Sequence, residues 1–120
     1  MSWDDHARRR AAIKAVLAYA QKHPAAGLPY EQVAEAREQF RSRRELLLAL
    51  QYDWTQALWA RIDLLSLASK DGALLDARKL GEQAYAECAQ RNPVLRALLD
   101  AGRDELGSSA RREEDMLRFA

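Results

Sequence analysis

The chain has 120 residues, 48% of them hydrophobic and 31% charged, with a formal net charge of +1. That length suits one domain that buries its own core, and the composition excludes a wholly disordered chain. A single cysteine, Cys88, excludes an internal disulfide, and with only His6 and His23 beside it there is no zinc-ligand spacing.

Good helix formers dominate, Thr55 is the only threonine, and three prolines and five glycines interrupt the chain. An all-α fold is expected: a bundle of about five helices around one long central helix, residues 43–69. Ser2 is placed to cap the first helix, with Asp4 and Asp5 in the first turn where the helix dipole favours acids. Ile13, Val16, Leu17 and Ala20 recur at helical spacing, and Pro24 stops the helix after Lys22. The next segment, Pro24 to Pro29, reads as a loop. Pro29 then suits the start of a short second helix, Tyr30 to about Glu38, with inward contacts from Val33 and Phe40.

Ser42-Arg43-Arg44-Glu45 has the form of a capping box and opens the central helix, about 40 Å long, which meets no breaker before Asp71-Gly72. One stripe holds Leu47, Leu50, Trp54, Leu58, Arg61, Leu65 and Ala68; a second holds Leu48, Tyr52, Trp59, Ile62 and Ser66. Only Asp53, Gln56, Ala60 and Asp63 form a clearly polar strip. A helix apolar over so much of its circumference has neighbours on more than one side. It is either the centre of a bundle or a helix shared between its own domain and a dimer.

A fourth helix is expected from about Leu74 to Arg91, with Leu80, Ala84, Tyr85 and Cys88 on one side. Asn92 and Pro93 open a fifth with Val94, Leu95, Leu98 and Leu99 inward, ending near Gly102 or a turn later at Leu106. The domain is expected to span residues 1–101. Residues 102–120, rich in charge, form a mobile tail in which Met116, Leu117 and Phe119 could supply a short docked helix.

The chemistry of catalysis is not evident. The histidines stand about 25 Å apart along the first helix and cannot share a metal. No glycine-rich phosphate loop exists, and Glu113-Glu114-Asp115 lies in the tail. No enzyme, cofactor or metal is therefore expected. Arg61 falls in an apolar stripe, where it either snorkels or pairs with an acid from another helix, or else binds an anion within the bundle. Trp54, Leu58, Trp59 and Arg61 are the candidate ligand or interface residues. The two tryptophans suit core or interface anchors; the alternative is a pocket between helices lined by Trp54, Tyr19 and Tyr85.

Charge is uneven. Residues 1–44 carry nine basic and five acidic side chains, whereas residues 45–120 carry ten and thirteen. Arg8, Arg41, Arg43 and Arg44 are the candidate anion contacts, the alternative being a solvated basic face. The acidic start, Met1-Ser2-Trp3-Asp4-Asp5, is not a secretory leader, and apolar runs fall short of the ~20 residues that span a bilayer, so a cytoplasmic protein without membrane contact is expected.

Phe40-Arg41-Ser42-Arg43-Arg44-Glu45-Leu46-Leu47-Leu48-Ala49-Leu50 resembles a segment of TetR-type repressors, where an aromatic residue, a small spacer and Ser-Lys-x-x-Leu-Leu lead into a long helix after the DNA-reading unit. Arg8 to Ala20 resembles that family's first helix, Val33-Ala34 its Ile-Ala in helix 2, and Asn92 to Arg96 a motif of its ligand-binding part. The resemblance covers about half the chain and implies a dimer-forming helical order. Val33 and Phe40 are only seven positions apart, too close for a turn and a recognition helix. It therefore implies at most a degenerate regulator that meets DNA weakly or through a partner. The chain also has the general look of small helical proteins of high-GC actinobacteria. The leading expectation is a protein that acts by association, as a homodimer, with a protein or a small apolar ligand as a further partner.

Overall fold

The computed structural model describes residues 2–68 and 77–107. Among them the chain forms six α-helices and no strand: α1 (Trp3–Lys22), α2 (Ala34–Gln39), α3 (Arg43–Ala68), α4 (Ala77–Arg91), α5 (Pro93–Ala101) and α6 (Arg103–Leu106), with a 3-10 turn at Pro24–Ala26. The expected all-α bundle around a long central helix is the observed architecture. The stop at Asp71-Gly72, the start of the fourth helix before Ala77 and the docking of Met116, Leu117 and Phe119 lie outside the described residues.

The helix starts follow local chemistry. The Ser2 hydroxyl accepts from the Asp5 amide at 3.2 Å, while the Asp5 carboxylate accepts from the Ser2 amide at 3.4 Å, a complete capping box. At α3 the Ser42 hydroxyl accepts from the Glu45 amide at 3.2 Å. Replacing Ser42 with alanine is expected to cost about 0.5–2 kcal/mol of stability, read from urea unfolding, because one orphan amide of α3 loses its acceptor. Pro93 sits in the first turn of α5, where no amide is needed.

α2 is shorter than expected. It begins at Ala34, not Tyr30, because residues 28–33 serve the core before they can serve a helix. Leu28, Pro29 and Val33 are all buried, and Val33 is extended, with φ −114° and ψ 110°. Gly27 makes the preceding turn with φ 70°, a conformation that other residues rarely adopt. The Tyr30 hydroxyl then donates to the Phe40 carbonyl at 2.6 Å and closes the loop over α2.

α3 is the hub, packed against α4, α5 and α6, while α1 packs on α2 and α5. Its inner stripe, Leu47, Leu50, Trp54 and Leu58, is completely buried. Ala12, Ile13, Val16 and Ala20 from α1, Ala84 and Cys88 from α4, and Leu95, Leu98 and Leu99 from α5 complete the core. The chain does not leave the bundle at residue 101. Gly102 is buried, and a methyl group there would sit 2.8 Å from Leu47 Cδ2, so the α5–α6 corner lies close against α3 and a larger residue would have to displace the Leu47 side chain. Leu106 is buried as well. Gly102 and Leu106 thus pack against the bundle, with α6 lying on α3 and α5.

Candidate functional site

Two places gather the residues singled out from sequence: the buried junction of α3, α4 and α5, and the outer face of α3 with the groove beside it.

At the junction, Trp54 is fully buried. The Tyr85 ring meets it edge-on, with centroids 5.2 Å apart and planes 73° apart. Arg96 of α5 places its guanidinium 4.6 Å from the Trp54 ring and 5.3 Å from the Tyr85 ring. Its Nε and Nη2 donate to Asp100 Oδ1 at 3.0 and 2.9 Å. A largely buried cation is tolerable here because a carboxylate one turn on neutralises it and two ring faces replace lost water. The space around Trp54 is thus occupied by the chain's own side chains. Tyr19 lies elsewhere, its ring centroid 4.4 Å from that of His23 and tilted by 35°.

Arg61 takes the ion-pair alternative. Its Nε donates to Glu87 Oε2 of α4 at 2.6 Å. That bond holds the Glu87 carboxyl below the usual carboxylate range against an opposing push from desolvation, and it raises Arg61 further. A group with a depressed folded pKa contributes stability above its unfolded value, here an ordinary 4.5, and loses it as pH falls through the lower folded value. Glu87→Gln is therefore expected to lower the thermal midpoint at pH 7, with the gap from the native chain narrowing as pH falls below 4.5. A gap that stays constant into strong acid would contradict this role.

Cys88 is buried, and its Sγ donates to the Ala57 carbonyl at 3.6 Å. Burial pushes its thiol above the ordinary range despite the nearby Arg61 and Arg91, so the thiolate is scarce at neutral pH. No cluster of metal-ligating side chains occurs among the described residues, and no described helix is long and apolar enough to cross a membrane.

The four candidate anion contacts divide. Arg43 Nη1 donates to the Leu28 carbonyl at 3.2 Å, and its guanidinium lies 3.5 Å from Glu105 and 3.7 Å from Glu31. Arg44 Nη1 donates to the Glu105 carbonyl at 2.5 Å. Both thus tie the start of α3 to its own chain, to α6 and, through Arg43, to the 27–33 loop. Arg8 and Arg41 are exposed. Only Phe40, Arg41 and Ser42 separate α2 from α3, so no helix stands where the repressor resemblance implies a recognition helix.

The second stripe of α3 is open. Tyr52 is 64% exposed, Trp59 43% and Leu48 36%; only Ile62 of that row is buried. Leu58, grouped with Trp59 as a candidate interface residue, faces the core instead. Beside the open stripe, residues of α1 and α3 line a groove of about 280 Å³, with Ile13, Ala49 and Tyr52 as its apolar lining and His6, Arg9, Arg10 and Asp53 as its polar lining. Arg10 Nη1 donates to Asp53 Oδ2 at 3.0 Å, linking the two helices. A second groove, bordered by Trp3, His6, Ala7 and Arg10, adjoins the first, and Trp3 there is 88% exposed.

Arg96 was not among the candidate residues. Its signal was local: Arg96 and Asp100 stand one turn apart, beside the inward Leu95 and Leu99. No family model, curated protein or solved structure matches this chain.

Proposed function

We infer that this protein acts by association, as a homodimer joined through the outer face of α3, and that it carries out no reaction of its own. The observation that supports the reading is the row of Leu48, Tyr52 and Trp59, three large side chains on one helix stripe that the fold leaves uncovered. No packing among the described residues covers these two aromatic rings two turns apart; a partner surface would.

The area suits a second copy. At about 200 Å² per ring, the exposed fractions of Tyr52 and Trp59 amount to about 200 Å² of aromatic surface. A stable interface buries about 800 Å² per partner, somewhat over half of it apolar. The two rings supply about half of that apolar share from one chain, and Leu48 adds to it. A two-fold axis across α3 would supply the same from the other, since an isologous contact uses one patch twice. Thr55, at the middle of the stripe and smaller than its neighbours, lets the two helices approach.

Sedimentation of the purified chain tests the reading. The expected mass is twice 13.6 kDa at roughly tens of micromolar, falling toward 13.6 kDa on dilution. A constant 13.6 kDa throughout would remove it.

A further inference from the structure

We propose that the groove between α1 and α3 binds a small organic monoanion with a flat apolar body, of the aryl carboxylate class. The inference goes beyond dimerisation and does not depend on it: Tyr52 borders both features, but Trp59 does not line the groove.

Its floor and its rim differ in chemistry. Ile13 and Ala49 offer an apolar floor, and the half-free Tyr52 ring stands beside it as a stacking wall. At about 280 Å³ the space lies at the small end of ligand sites, which are mostly apolar with a few placed polar groups. Arg9, Arg10 and Asp53 supply the charged part of its lining. Arg10 spends one donor on Asp53, at 3.0 Å, and a guanidinium has five. Arg9 forms no ion pair among the described residues; its guanidinium lies 5.0 Å from the Phe40 ring centroid, which fixes its position without neutralising it. Among the described residues, Arg9, Arg10 and Asp53 therefore leave the lining one positive charge in excess. A carboxylate that accepts from Arg9 and Arg10 satisfies that charge while its ring covers Ile13 and Ala49. A neutral aromatic gains only the floor, and an inorganic anion only the rim.

The test uses 2-naphthoate as probe and 2-naphthylmethanol as its neutral counterpart, with the full chain. Titration followed by heteronuclear NMR is expected to give saturable naphthoate binding at or below about 1 mM, with shifts centred on Ile13, Ala49 and Tyr52. The alcohol should bind at least about tenfold more weakly, and so should naphthoate to Arg9→Gln or Arg10→Gln, because a charge-assisted hydrogen bond is worth at least that factor. Unchanged melting of these variants separates lost binding from lost fold; should Arg9→Gln melt early, Arg9→Lys, which keeps the charge, is expected to retain most of the affinity. Equal binding of acid and alcohol, shifts centred on Trp54, or no saturation would overturn the site. Trp59→Arg should leave naphthoate binding intact. Loss of binding there would overturn the groove as a site of one chain while leaving association standing, and a monomeric chain that still binds would do the reverse.

Discussion

Trp54→Ala is expected to lower the unfolding free energy by about 3–5 kcal/mol, the usual cost of emptying a buried tryptophan site. A domain of this size has only about 5–15 kcal/mol in hand, so the variant should unfold at much lower urea and melt many degrees earlier. The reason for an effect at the upper end is the residue's neighbours. Trp54 lies under Leu50 and Leu58 in the core stripe, takes the edge of Tyr85 from α4, and offers its face to Arg96 from α5. Its removal leaves a cavity where three helices meet and strips a largely buried guanidinium of one of its two aromatic partners. Trp54→Phe keeps a ring and should lose much less. Both are to be compared at one protein concentration, since association raises apparent stability. A loss below about 1.5 kcal/mol for the alanine variant would mean that the junction of α3, α4 and α5 is not where the core is anchored.

The second large effect is on assembly. Trp59→Arg puts a charge in the middle of the open stripe, and in a two-fold dimer it does so twice. An interface anchor is worth about 2 kcal/mol or more when removed, so the pair should cost about 4 kcal/mol, or roughly a thousandfold in the dimerisation constant. Tyr52→Arg should act in the same direction. Neither should unfold the chain, because both side chains are exposed and surface changes away from packed features stay within about 0.5 kcal/mol. A monomer with unchanged helical circular dichroism is the expected phenotype. A variant that sediments as the native chain does would place any self-association elsewhere, with Leu64 and Leu67, exposed near the end of α3, as the next surface to change.

The interior of α3 was legible because its signal is local and repeated. Leu47, Leu50, Trp54 and Leu58 follow the helical period, and all four are buried. The Ser42 cap and Pro93 were legible for the same reason: each acts within one turn. Periodicity states which side chains share a face but not whether a neighbour covers it. Leu48, Tyr52 and Trp59 lie on a stripe as apolar as that of Leu50, which suits a bundle centre or a dimer face equally, and the fold leaves them exposed. Long-range competition hid the start of α2, where Leu28, Pro29 and Val33 are drawn into the core and the helix waits until Ala34. It also hid Arg96, whose aromatic partners come from α3 and α4, 42 and 11 positions away in the chain. Arg61 could be narrowed to a pair or an anion site; choosing between them required Glu87, which the fold brings to 2.6 Å. Residues 102–107 looked like tail because charge outweighs apolar content there, yet one glycine and one leucine suffice to seat them on α3.

The claim that α3 joins two copies is tested most directly by isotope-filtered NMR on an equal mixture of labelled and unlabelled chain. Cross-chain contacts are expected between the ring protons of Tyr52 and Trp59 on one chain and the Leu48 and Thr55 methyl groups of the other, and they should vanish in Trp59→Arg. A mixture that self-associates yet gives no cross-chain contact from either ring, or gives the same contacts after Trp59→Arg, would contradict the account.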